Sequence, residues 1–524
     1  MTAAAGHPSA PATMTARDWI AVWGSLIGAF MAVLDIQITN ASLKDIQGGI
    51  AASLDEGTWI STSYLVAEII VIPLTGYLAG VFGLRRYLVV NAALFVGFSM
   101  LCGTATTLGE MTLFRACQGF TGGVMIPMAF NILNLKLPPA RQAMGMAMFG
   151  LTATLAPAIG PTIGGLITDA YGWPYIFYIN LAPGLLMIAM VGFGLDGEPM
   201  RLERLAGGDW LGMICMALGL GSLEVVLEEG ERHDWFGNPM IFRLALVAAV
   251  FTTLFLVIEF TRREPFINLR LLGRRSFGCA CLVGLSLGLA LYGSVYVIPV
   301  YLAQVQRYDA YQIGLVIMWM GLPQLLLFPI TGKLMQKFDG RWLLAFGLMV
   351  FAASNFMCLD MSHDTAEPQL RWSMLVRAVG QPFVIVPIAR MATAGIEPQN
   401  SAAASSLFNI MRNLGGSIGI AMLQTFVTWR EHFHFDVIAQ RLTRNDLMLQ
   451  DRLHAMAQQA LPAAGDLAHA TMMALARLQG LVRRDAFVMA YSDCFFAMGV
   501  VLLVSLTAVA FMRKAETGGA VAGH

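Results

Sequence analysis

The chain has 524 residues, of which 57% are hydrophobic and 13% charged, and its 33 Lys and Arg balance 33 Asp and Glu. This composition excludes a soluble globular domain and indicates a chain that crosses a membrane many times. No excess of positive charge points to a nucleic-acid partner, and none is expected.

Residues 1–17, rich in Ala and Pro, read as a short tail. They lack the basic stretch, apolar core and small-residue cleavage site of a secretory signal. Apolar segments of about 20 residues, enough to cross roughly 30 Å of hydrocarbon, begin near Trp19, Thr58, Tyr87, Glu110, Ala143, Trp173 and Trp210. Seven more begin near Met240, Phe277, Tyr311, Trp342, Arg371, Ala402 and Ala486. The fold class expected is all-α and polytopic, with fourteen transmembrane helices. Between helices 13 and 14, residues 428–485 are too polar and too long for a turn. Apolar residues recur there at helical spacing (Phe426, Phe433, Val437; Met472, Leu475, Leu478) and Pro462-Ala-Ala-Gly465 interrupts them, which predicts a helical hairpin outside the membrane. The seven cysteines lie in or beside apolar runs and read as packing residues without a disulfide framework. The eight histidines avoid those runs, and no metal or other cofactor is expected.

Helices 2 and 10 end alike. Pro73, Thr75, Gly76, Leu78, Phe82, Arg85 and Leu88 align without a gap to Pro329, Thr331, Gly332, Leu334, Phe338, Arg341 and Leu344. Two parallel copies of a membrane half are a carrier architecture, with the substrate site at the midplane between them. The offset is eight helices, so helices 1–6 (residues 18–195) pair with helices 9–14 (277–512), and helices 7 and 8 (209–261) are an inserted pair. Loops holding Arg85, Arg86, Lys136, Arg141, Arg201 and Arg204 fall on one side, whereas the short loops opposite hold only Lys44, Arg232 and Arg307. The Lys/Arg bias makes the first side cytoplasmic. Both termini are then cytoplasmic, including the tail 513–524.

An ionisable group at the centre of a membrane helix costs about 2.5 to 3.5 kcal/mol on insertion scales, so each one needs a partner, a cavity or a role. Asp35 in helix 1 and Arg115 in helix 4 sit at similar depth in the outer half, where an ion pair between them would be a proton switch if the helices move apart. The alternative is a fixed structural pair. Glu68, in the apolar run of helix 2, has no positive charge near it in the sequence. It reads as a proton carrier or a counter-ion for a cationic substrate, or equally as a neutral acid bonded to a neighbouring helix. Glu224 lies near Glu228, Glu229 and Glu231 at the outer end of helix 7 and is expected to be a solvated mouth residue bordering the cavity. Asn40, Asn409 and Arg412 complete the substrate-cavity candidates. Arg377 in helix 12 and Asp493 in helix 14 are the remaining intramembrane charges. Helix 5 carries Gly160, Pro161, Gly164 and Gly165, and its repeat partner, helix 13, carries Gly415 and Gly416. Small residues and prolines at equivalent places mark hinge and gate surfaces, or simple tight packing.

Several stretches taken in order resemble the fourteen-helix drug:proton antiporters of the major facilitator superfamily, the EmrB and QacA type. They are Leu34-Asp-Ile-Gln-Ile-Thr-Asn-Ala41, Gly76 through Arg86, Arg115-Ala-Cys-Gln-Gly119, Gly160-Pro-Thr-Ile-Gly-Gly165 and Trp173 through Asn180. Asp234-Trp-Phe236 and Asn409 through Gly416 point to the EmrB branch. The chain departs from the pattern at Gly80, where the superfamily has an Asp, and at Ser42-Leu-Lys44, where many relatives have a proline. A charge-relay latch on that Asp is therefore not carried over, although Gly76 and Arg85 of the same loop remain candidates for conformational coupling. Glu68 is atypical and takes no role from the family.

The resemblance implies export of amphipathic toxic compounds, driven by protons entering through the same cavity, in the inner membrane of a bacterium. It also implies a periplasmic adaptor of the EmrA type and an outer-membrane channel as partners, with the 428–485 hairpin as a natural contact. The alternative is a dedicated exporter of one metabolite, such as a siderophore, fatty acid or antibiotic. No Gly-x-x-x-x-Gly-Lys-[Ser/Thr] phosphate loop is present, which disfavours an ATP-driven pump, and no enzymatic activity is expected.

Overall fold

The computed structural model describes residues 14–53, 56–262, 267, 269–308, 310–393, 396, 401–442 and 447–512, and all regular structure among them is helical. The long helices are α1 (Ala16–Ala41), α2 (Trp59–Phe82), α3 (Leu84–Cys102), α4 (Leu108–Lys136), α5 (Pro139–Tyr171), α6 (Tyr175–Gly194) and α7 (Trp210–Glu229). They continue as α8 (Pro239–Thr261), α9 (Arg275–Gln304), α10 (Ala310–Leu334), α11 (Gly340–Phe356), α12 (Glu367–Thr393), α13 (Ser401–Arg441), α14 (Leu447–Ala464) and α15 (Leu467–Phe511). Most of tail 1–17 and tail 513–524 lie outside the described residues.

Length and composition mark eleven of these helices as membrane-spanning among the described residues, and α5, bent by 44° beside Pro157, makes a twelfth. Two helices at expected positions escape that criterion. α11 has 17 residues, and α13 carries Ser405, Asn409, Arg412 and Asn413 through its apolar stretch. Prolines lie inside α2, α5, α9, α10 and α12, a frequency in keeping with membrane helices. Local sequence sets the ends. Thr15 and Asp18 form a capping box on α1, and Gly83, at φ +83°, turns the chain from α2 into α3 where a side chain would be strained.

The packing repeats with the sequence. α1 lies against α4, α5 and α6, α4 against α2 and α3, and α3 against α6. The same contacts recur eight helices on: α9 against α12, α13 and α15, α12 against α10 and α11, and α11 against α15. The groups meet along two seams, α5 on α10 and α13 on α2. α7 packs on α8 and lies beside the second seam, touching both α2 and α13.

The described part of residues 428–485 is helical except at Leu442, Gly465 and Asp466, with a different division from a simple hairpin. α13 continues to Arg441, α14 is separate, and α15 starts at Leu467 after Gly465 (φ +78°) and the N-cap Asp466. Pro462 lies inside α14, so the break comes at the glycine. Ala457 of α14 packs against Ala470 and Ala474 of α15, a small-residue contact that lets the two helices approach closely. Arg430 and His434 of α13 both reach Asp493 of α15 (2.6 and 2.7 Å), and Arg483 reaches Glu431 (3.1 Å). Asp493 is thus an anchor between the extended helices. All seven cysteines are free.

Candidate functional site

Asp35 and Arg115 meet. Arg115 Nη1 lies 2.6 Å from Asp35 Oδ2, and both residues are almost fully buried, at 1% and 2% exposure. Five helices build the surroundings. Arg115 also donates to Gln118 Oε1 on its own helix (2.7 Å) and to the backbone carbonyl of Ile60 on α2 (3.3 Å), while its guanidinium lies 4.3 Å from the ring centroid of Tyr64. The second carboxylate oxygen of Asp35 accepts from Gln118 Nε2 (3.0 Å) and from Asn180 Nδ2 of α6 (2.6 Å). Asn180 in turn donates to Ser99 of α3 (3.0 Å).

A buried carboxylate and guanidinium are tolerated when their hydrogen-bonding capacity is met and their charges cancel. Here three donors saturate Asp35. The pair therefore ties α1 to α4 and α6, and taking away the charge of Asp35 would leave Arg115 uncompensated among apolar helices. Sequence reasoning found both charged members from their depth, but gave Gln118, Asn180, Ser99 and Tyr64 no role. Gln118 was in reach of it, one helical turn from Arg115. Asn180 and Ser99 come from distant segments and carry no local signal.

The repeat-related half differs. Arg377 of α12 is fully buried and donates to Asn355 Oδ1 (3.0 Å) and Ser354 Oγ (3.4 Å), with Phe351 and Phe495 flanking it. No carboxylate pairs with it among the described residues. Among the described residues, the position related by the repeat thus has no counterpart of the Asp35–Arg115 pair.

A second polar cluster lies along the α2–α13 seam, and it corrects two expectations. Glu68 is buried, and after that burial the positive charge that acts on it most is Arg412 of α13, followed by Arg115. Chain separation hid that influence. Glu224 is not solvated; it is 3% exposed, and Ser417 of α13 donates to its Oε1 at 2.9 Å. Packing of α7 beside the seam covers Glu224 and Glu229, while Glu228 and Glu231 remain partly exposed. Glu229, also buried, accepts from Thr58 (3.1 Å) and Thr62 (2.6 Å) of α2. Asn409 is buried on α13 and bonds the carbonyl of Ser405. Asn40 stands apart from this cluster, exposed at the end of α1 and bonded to Ser61 (2.7 Å).

The glycines divide by partner. A Cβ at Gly164 would lie 3.1 Å from the carbonyl oxygen of Ile38, and one at Gly160 would meet Gln37, both on α1. A Cβ at Gly415 would strike the carbonyl of Leu285, and one at Gly416 the ring of Tyr292, both on α9. These glycines close equivalent contacts within each half, and Pro161 and Gly165 are half-buried on α5. The α5–α10 seam is closed instead by Gly314 against Thr162 and Gly150 against Phe328. Gly76 has open space where a Cβ would be, and half-buried Arg85 lies beside Gly197.

With this geometry in view, the comparisons with known proteins agree. The family model for the Major Facilitator Superfamily matches residues 25–420. The chain is 30% identical to the colistin resistance protein EmrB of Acinetobacter baumannii over 511 residues, 97% of this chain and 99% of that protein. It is 34% identical to the multidrug export protein EmrB of Escherichia coli K12 over 78% of this chain and 80% of the relative. The fatty acid resistance protein FarB of Neisseria gonorrhoeae is 28% identical over 95% and 96% of the two chains. The human organic anion transporter MFSD10 shares the fold, with a TM-score of 0.58 at 11% identity over 94% of this chain and 99% of that one. This is a multi-pass membrane protein that belongs to the major facilitator superfamily, in its EmrB branch.

Proposed function

We propose that this chain is a proton-coupled multidrug exporter working by alternating access in the inner membrane of a bacterium. Fourteen helices cross the membrane: two six-helix bundles, residues 18–195 and 277–512, and the inserted pair 209–261, with both termini in the cytoplasm. The observation that carries the coupling is the saturated Asp35–Arg115 pair, which joins α1 to α4 and α6. Protonating Asp35 removes its charge, weakens its hold on Arg115 and frees α1 to shift against α4. Deprotonation on the other side restores the pair. One charge moved inward supplies about 2.3 kcal/mol per 100 mV. At about 1.4 kcal/mol per tenfold, that supports a gradient on the order of fifty-fold.

The substrates are amphipathic toxic compounds, as the names of the EmrB relatives support. Leu447, Met448 and Met472 are exposed on α14 and the start of α15, which supports this segment as the contact for an EmrA-like periplasmic adaptor leading to an outer-membrane channel. The name of the FarB relative favours a second reading, export of one class of metabolite such as a fatty acid. A resistance profile across unrelated compounds separates them: protection against several chemical classes fits the first, and against one alone the second.

The test is uphill drug transport into inside-out proteoliposomes under an imposed pH gradient. Asp35→Asn is expected to lose accumulation while retaining downhill exchange. Full accumulation by that variant would remove Asp35 from the coupling.

A further inference from the structure

The gapless match of Pro73–Leu88 to Pro329–Leu344 continues along α3 and α11, where Phe95, Ser99 and Cys102 correspond to Phe351, Asn355 and Cys358. Arg115-Ala116 on α4 likewise corresponds to Arg377-Ala378 on α12. The surroundings of the buried arginine are duplicated, but its counter-charge is not. In the first half, Nη1 of Arg115 donates to Asp35 and Gln118. In the second, Nη1 of Arg377 is buried with no hydrogen-bond partner among the described residues.

The rest of the guanidinium is well held. Nη2 donates to Asn355 Oδ1 (3.0 Å), Nε donates to Ser354 Oγ (3.4 Å), and the ring centroids of Phe351 and Phe495 lie 5.8 and 5.7 Å away. Negative charge is what the site lacks. The sequences of α9, α10 and α11, which pack on α12, contain no Asp or Glu. Glu367 of α12 is bound to Arg371 (2.7 Å), and Asp493 of α15 to Arg430 (2.6 Å). The ionisable group that acts on Arg377 is the thiol of Cys358, and a thiol of ordinary pKa is neutral at pH 7.

Arginine keeps its charge at any physiological pH, and a fully buried cation inside a membrane needs a partner of opposite sign. Ordered water would satisfy Nη1 but would leave the charge uncompensated. Enclosure then selects among anions. One guanidinium is balanced by one negative charge, the flanking groups are two aromatic rings and an amide, and a divalent oxyanion would lose far more hydration on entering than a monovalent halide. We propose that Arg377 is the core of an anion site that holds one chloride on Nη1, in the place that Asp35 takes on Arg115. The second half thus borrows from solution the charge that the first half carries in its own sequence.

The test is thermal unfolding of the purified full-length protein in chloride and in gluconate at equal ionic strength, gluconate being too large for the enclosed site. Wild type is expected to unfold about 2 °C or more higher in chloride. Asn355→Asp sets a carboxylate of the same shape on Arg377 and should unfold at one temperature in both salts, as should Arg377→Gln, which removes the charge. Equal unfolding temperatures for wild type in the two salts, or a chloride dependence undiminished in Asn355→Asp, overturns the proposal. Equilibrium dialysis of wild type with radioactive chloride gives a reading that depends on no variant. A single saturable site per chain, emptied by excess bromide, is expected, and the absence of saturable binding overturns the site.

Discussion

Asp35 accepts three side-chain hydrogen bonds in a setting with almost no water, so its neighbours differ in what their loss would do. Arg115→Ala leaves a buried carboxylate without its counter-charge and is expected to destabilise the protein by about 3 to 5 kcal/mol. Adding Asp35→Asn to it removes the stranded charge, so the double variant should be less destabilised than the sum of the singles. Thermal unfolding of the purified protein in one detergent checks this, and additive losses would contradict a direct pair. Asn180→Ala removes one donor from Asp35 and one from Ser99, with an expected loss of about 1 to 3 kcal/mol. At this scale the sequence disclosed the charged members, because a charge in an apolar run is conspicuous. It did not disclose Asn180 or Ser99, whose polarity is ordinary at helix ends, nor that the charge of Arg412 on α13 acts on Glu68.

At the scale of helices, the glycines of α5 and α13 act through what they allow to approach. Gly415→Val would drive a branched side chain into the backbone carbonyl of Leu285, and a backbone carbonyl in a packed helix cannot swing aside. Loss of folded protein, read by size-exclusion profile and thermal unfolding, is the expected result. Gly76→Ala meets nothing within 4 Å and should leave both measurements within the scatter of wild type; a large loss there would mean that Gly76 serves a conformation other than the one described. The sequence located these glycine faces at matching places in the repeat, but not which helix each would face. Helix positions were legible from hydropathy almost to the end of the chain. Between Thr428 and Asp485 the hydropathy falls while the helix continues, because α13 and α15 are tied by Arg430, His434 and Asp493, and hydropathy does not record such ties.

Across the whole molecule, the repeat seen in Pro73–Leu88 and Pro329–Leu344 is matched by the packing, since the main contacts among α1 to α6 have counterparts among α9 to α13 and α15. That much followed from sequence, because a duplicated segment implies a duplicated environment. The placing of α7 against both α2 and α13 did not follow, since an inserted pair carries no repeat partner from which to read its neighbours. The seams must part and close if access alternates. A cysteine pair placed across the α5–α10 seam, in a background without the seven native cysteines, should arrest transport on oxidation and recover on reduction. Unimpaired turnover with the pair crosslinked would show that the α5–α10 seam does not open.

The central claim is that charge on Asp35 is exchanged for drug movement, and proton counterflow reads that exchange most directly. Proteoliposomes holding a trapped pH dye, with no imposed gradient, are given a drug gradient, and the lumenal pH is followed. The account predicts that with wild type the lumenal pH rises as drug enters, because protons leave in exchange, and falls as drug leaves, and that Asp35→Asn gives no pH change although drug still equilibrates. Wild-type drug flux without any pH change, or an undiminished change in Asp35→Asn, would contradict it.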